Sequence, residues 1–168
     1  MSLKRLNLLL WLGAGLAYAA LIFWVGAKLI DAAGGDLPFD LRPFGLTFEA
    51  ARSYLELLGA EGRALYAQYV KPVDTVFPVL MGLALALTAY RQARWLGVVL
   101  GLGYLIADLW ENSVIAIVMS DPARLHLEVF DWIQMLTCAK FALFAAALAL
   151  IIVHLWKTRP TPSKAAGI

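Results

Sequence analysis

The chain has 168 residues, of which 62% are hydrophobic and 15% charged, with a net charge of +2 and a mean hydropathy of +0.75. A soluble domain is about one-quarter charged, so this composition points to an integral membrane protein, and it lacks the basic surface a nucleic-acid binder needs. The single cysteine, Cys138, excludes an intrachain disulfide, a Cys-rich metal centre and a CxxC redox pair.

A helix needs about 20 apolar residues to cross a bilayer. The first segment to meet that length is 7–30. Lys4, Arg5 and "AYAA" at Ala17 to Ala20 resemble a signal peptide. Apolar character then continues through "LIFWVGAKLI", too far for a secretory h-region, so an uncleaved helix is expected. The connection that follows opens with "GGDLPFDLRPFG", whose glycines and prolines predict irregular chain. Next, "TFEAARSYLELLG" reads as an amphipathic helix. Thr47 can cap it, Phe48, Ala51, Leu55 and Leu58 share a face, and Gly59 can end it. A second helical piece leads to Lys71-Pro72. Residues 47–71 are expected to form a cap over the mouth of the bundle rather than a helix lying on the membrane surface.

The remaining spans are expected at 73–90, 95–119 and 130–156, and the tail 158–168 is expected to be disordered. Basic residues set the topology. Lys4 and Arg5, then Arg91 and Arg94, then Lys157, Arg159 and Lys164 fall at the three ends expected to face the cytoplasm. The predicted fold is therefore all-α: an integral membrane four-helix bundle with an extracytoplasmic helical cap between helices 1 and 2. The predicted location is the inner (plasma) membrane, with both termini cytoplasmic.

The polar residues inside the spans carry the functional signal. Gly97, Gly101, Tyr104, Asp108, Glu111 and Asn112 recur every three or four residues and so share one helical face. Gly97 and Gly101 allow close approach of a second helix, which turns this face inward. Equal rise along antiparallel helices puts Asp108 level with Lys140, and Glu111 and Asn112 level with Thr75 and Asp74. Pro78 has no N–H, so the Asp74 carbonyl loses its helical partner and leaves a polar niche. One reading is purely structural, with Lys140 neutralising Asp108 and fixing register. Asp74 and Glu111 would then remain without a cation. Such carboxyls must be protonated, reach water, or meet a ligand, and ionisable groups at mid-span are functional by default.

The expected ligand-binding set is Asp74, Thr75, Tyr104, Asp108, Trp110, Glu111, Asn112 and Lys140. Trp110 stands apart from the other tryptophans, which fall near span ends. It either walls the pocket or faces lipid. His126, Glu128 and Asp131 match no metal-ligand spacing, and no metal or cofactor is expected.

The stretches "DTVFP" and "DLWEN" make the chain resemble small bacterial four-helix membrane proteins. The layout also resembles the EXPERA family, which includes the sigma-2 receptor and the emopamil-binding sterol isomerase. The comparable stretches are "LIDAAGGDLP" after the first span and Asp74 at the head of the second. That resemblance implies buried carboxylates under a cap, with Asp31 and Asp74 in the family's acidic positions. It also implies a sterol-like or cationic amphiphilic ligand, with isomerase chemistry open. "DLWEN" and Lys140 fall outside the family pattern.

Four functions compete. The leading one is binding of a lipid-like or amphiphilic small molecule in an intrabundle pocket lined by carboxylates. The others are a membrane enzyme of the isomerase or proton-transfer type, a proton- or cation-coupled carrier subunit, and a structural subunit of a larger complex. The partners expected are a membrane lipid or amphiphile, with either a homo-oligomer or a larger membrane complex open, and no nucleic acid.

Overall fold

The structure, a computed structural model, describes residues 1–157, so the expected tail 158–168 lies outside the described residues. Among these residues every regular element is helical. Helix α1 (Leu3–Ala32) is interrupted by a π-turn at Leu21–Val25. Helix α2 (Phe48–Leu65) continues through a second π-turn, Tyr66–Val70, into α3 (Lys71–Ala93). Then come α4 (Trp95–Ser120) and α5 (Leu127–Lys157). Four helical segments are long and apolar enough to cross a membrane.

Local chemistry sets the boundaries. Thr47 Oγ1 accepts from the Ala50 N–H at 3.2 Å and starts α2, satisfying one of the free N–H groups of a helix N-terminus. Gly59 sits at φ +60°, where an L side chain is strained, and kinks α2. Pro72 falls in the first turn of α3, where a missing N–H leaves no helical bond unmade. Arg94, at φ +48°, makes the sharp turn into α4.

Packing follows from small residues. A Cβ placed on Gly101 would lie 2.4 Å from the Ala86 backbone N, and one on Gly97 would lie 2.4 Å from the Ala89 carbonyl carbon. Only glycine at these positions lets α3 and α4 approach so closely. Helix α5 packs on α4 and also touches α3, and α1 packs on α3. Between α1 and α5 there is no comparable seam, and a gap remains. Helix α2 folds over one end of the bundle. Its Ala51, Tyr54, Leu55 and Leu58 are buried in one cluster with Leu29, Val118, Phe130 and Ile133. Residues 48–65 therefore cap the end at which α1 finishes and α5 begins.

Candidate functional site: an acidic, aromatic cavity between helices 1 and 5

Pro78 cannot donate to the Asp74 carbonyl, and the chain supplies a substitute. Asn112 Nδ2 donates to that carbonyl at 2.8 Å, tying α3 to α4. Glu111, next to Asn112, and Asp108, one turn earlier on α4, are both buried. On α5, Ile133, Thr137 and Lys140 share the face that meets them, as their spacing of four and three dictates.

Lys140 Nζ lies 3.3 Å from Asp108 Oδ1 and also contacts Glu111 Oε2. The Thr137 hydroxyl donates to Glu111 Oε1. This differs from the expectation that Lys140 answers Asp108 alone. The lysine stem is long enough to sit between two carboxyls one turn apart, so Glu111 is not the unpaired acid that the sequence suggested. Glu111 is fully enclosed and lies behind the layer. Asp74 and Asp108 are the acids of this layer that face open space.

That space is a cavity of about 560 Å³, within the usual range for a small-molecule site. Helix α1 lines it from Trp11 to Leu29, about 27 Å of helix. Its two ends differ. Trp11, Gly15, Tyr18, Phe77, Met81 and Phe144 make an apolar, aromatic length, whereas nearer the cap Asp40, Asp74, Asp108 and Lys140 stand among Leu29, Tyr66, Val70 and Ile115. Tyr104 lines the wall between them and faces the Asp108 carboxylate. A Cβ added at Gly15 would meet nothing within 4 Å, so the missing side chain leaves room in the cavity.

The expected residues thus divide. Asp74, Tyr104, Asp108 and Lys140 line the cavity. Asn112 and Glu111 support it through the bonds above. Thr75 is exposed and donates to the Lys71 carbonyl at 2.8 Å. Trp110 is 54% exposed and stacks on Trp132, with ring centroids 5.9 Å apart, so it faces outward rather than walling the pocket.

Sequence reasoning missed two residues. Asp40 belongs to the loop expected to lie outside. In the structure it lines the same cavity as Asp74, Asp108 and Lys140. The signal available was its setting, an acid between Phe39 and Leu41 in a loop that is otherwise proline- and glycine-punctuated. Tyr66 is the other. It is buried, it lines the cavity, and its hydroxyl has no protein partner.

Asp31, which the EXPERA resemblance would pair with Asp74, is exposed and does not line the cavity. The chain matches no family model, no curated protein and no solved structure.

Proposed function

We propose that the protein is a multi-pass membrane protein that binds an amphiphilic, lipid-like molecule in the cavity between α1 and α5. The observation that carries this reading is the polarity of the cavity along its length. The length away from the cap offers only aromatic and aliphatic side chains, and the cap-side part adds three carboxyl groups and one lysine that already serves two acids. A molecule with an apolar chain and a polar or cationic end matches both. In this reading Asp40 and Asp74 meet the polar end, Asp108 with Lys140 shapes its seat, and the ring of Trp11, Tyr18, Phe77 and Phe144 holds the chain.

The distribution of Lys and Arg supports both termini in the cytoplasm and the cap outside. Carboxyls that face one cavity also suit a proton donor and acceptor, so a proton-transfer enzyme is the second reading.

Native mass spectrometry of the protein purified in its own lipid tests the proposal. The expected result is a retained lipid-like adduct that disappears in Gly15→Phe, whose ring fills the cavity. Protein free of adducts in both forms, with no gain in thermal stability on adding a long-chain amine, counts against it.

A further inference from the structure

The exposed side chains draw two edges around the bundle. On α4, from Leu96 to Ile106, every exposed side chain is apolar, whereas beyond Trp110 the exposed residues are Ser113, Ile117 and Ser120, two of three polar. On α5, exposed residues from Met135 to Leu155 carry no charge, while Asp131 and Glu128 lie past Trp132. On α1 the exposed run from Leu8 to Trp24 gives way to Lys28 and Asp31. On α3 it runs from Val76 to Tyr90.

One edge therefore passes through Trp24, Thr75, Trp110 and Trp132. The other passes through Arg5, Arg91, Trp95 and Trp156. Helical rise separates the two by about 28, 24, 23 and 36 Å on α1, α3, α4 and α5, close to the ~30 Å core of a bilayer. Trp24, Trp110 and Trp132 are each about half exposed, as interfacial tryptophans are.

Asp74 adjoins Thr75 at the cap-side edge, whereas Thr137 and Lys140, which hold Glu111 and Asp108, lie about 8 and 12 Å inside Trp132 along α5, so the acidic layer starts at that edge and reaches into the belt. The aromatic length of the cavity runs from there into the apolar belt.

The segment 34–45 crosses the same edge. Its Gly34, Gly35 and Gly45 hold φ of +68°, +98° and +80°. Cys138 Sγ donates to the Pro43 carbonyl at 3.3 Å, and Cys138 lies about 9 Å beyond Trp132 along α5. Pro38, Asp40 and Leu41 line the cavity, while Phe44 is 86% exposed. Irregular backbone at that depth is tolerated where one side rests on protein or on a cavity. This strap has both, and it fills the cap-side part of the gap between α1 and α5.

We infer that the occupant is a lipid of the cap-side leaflet, taken up sideways between α1 and α5, and that the strap 34–45 is the wall it displaces. The inference rests on the amphiphile reading above. A lipid in that leaflet already holds its headgroup level with Asp74 and its chain beside the cavity, so its charge does not have to cross the bilayer centre. Leu29 and Val118 of the bundle are buried in one cluster with Tyr54 and Leu58 of the cap, so apolar packing covers the bundle end beneath the cap.

Pro43→Cys beside the native Cys138 allows the strap to be locked to α5. The protein is placed in phosphatidylcholine vesicles carrying octadecylamine with a diazirine in its chain, and labelled peptides are located by mass spectrometry. Reduced Pro43→Cys should label on α1 and α5 at the rate of the unsubstituted protein. Oxidation should slow labelling at least tenfold, reductant should restore it, and the unsubstituted protein should ignore the oxidant. If the disulfide does not form, a bis-maleimide bridging the same two thiols replaces it. A verified cross-link that leaves labelling unchanged overturns sideways uptake past the strap and spares the binding reading. Absence of cavity labelling in the unsubstituted protein overturns both.

Discussion

Lys140 serves two carboxyls with one charge, and this makes it the residue on which the polar layer depends. Removing it leaves Asp108 and Glu111 buried without a cation. Lys140→Met is expected to cost about 3–5 kcal/mol of stability, read from unfolding in detergent. Adding Asp108→Asn should recover part of the loss, and strictly additive damage would refute the coupling. Asn112 offers a second cycle. Asn112→Ala strands the Asp74 carbonyl and should cost about 1–3 kcal/mol. In a Pro78→Ala background the helix can supply its own N–H to that carbonyl, so the same change should cost clearly less. An equal cost in both backgrounds would show that Asn112 does not stand in for the missing donor. At this scale the sequence was partly legible. Antiparallel rise was enough to bring Lys140 to Asp108, and proline chemistry was enough to free the Asp74 carbonyl. The double role of Lys140 was not readable, because the side-chain reach that decides it has no sequence signature. Asp40 was missed because loops are read as solvated, whereas the path of this one is set by tertiary packing.

The helices were readable because long apolar runs leave few alternatives, and the cap because Thr47, Gly59 and the apolar face between them agree on one amphipathic helix. The two π-turns were invisible. They occupy Leu21–Val25 and Tyr66–Val70, which have no distinctive composition, yet both contribute residues to the cavity wall. Such turns often mark functional places in helices. The seam between α3 and α4 makes the sharpest prediction for an element. Gly101→Leu drives a side chain into the Ala86 backbone, where flexible atoms cannot yield. Overpacking of this kind costs about 1–3 kcal/mol or more, so the variant should unfold well below the unsubstituted protein in a detergent melt. Gly15→Leu on α1 meets open space and should melt near it. Equal melting of the two variants would mean that the seam is looser than the glycines imply.

For the whole molecule, the charge pattern predicts its orientation. Ser53, exposed on the cap, should be labelled as Ser53→Cys in a Cys138→Ser background by an impermeant maleimide added to intact cells. Labelling only after permeabilisation would invert the topology. The central claim is that the acidic end of the cavity selects the head of an amphiphile while its aromatic length takes the chain. The measurement that bears on it most directly is the affinity of matched twelve-carbon amine, alcohol and carboxylic acid for the purified protein and for Asp74→Asn. A buried charged contact is worth about 2–5 kcal/mol when one side is removed. The account predicts that the amine binds at least tenfold more tightly than the alcohol, that the acid binds most weakly, and that Asp74→Asn removes the preference for the amine while Gly15→Phe weakens all three. Equal affinity for the three compounds, or a preference for the amine that survives Asp74→Asn, would contradict it.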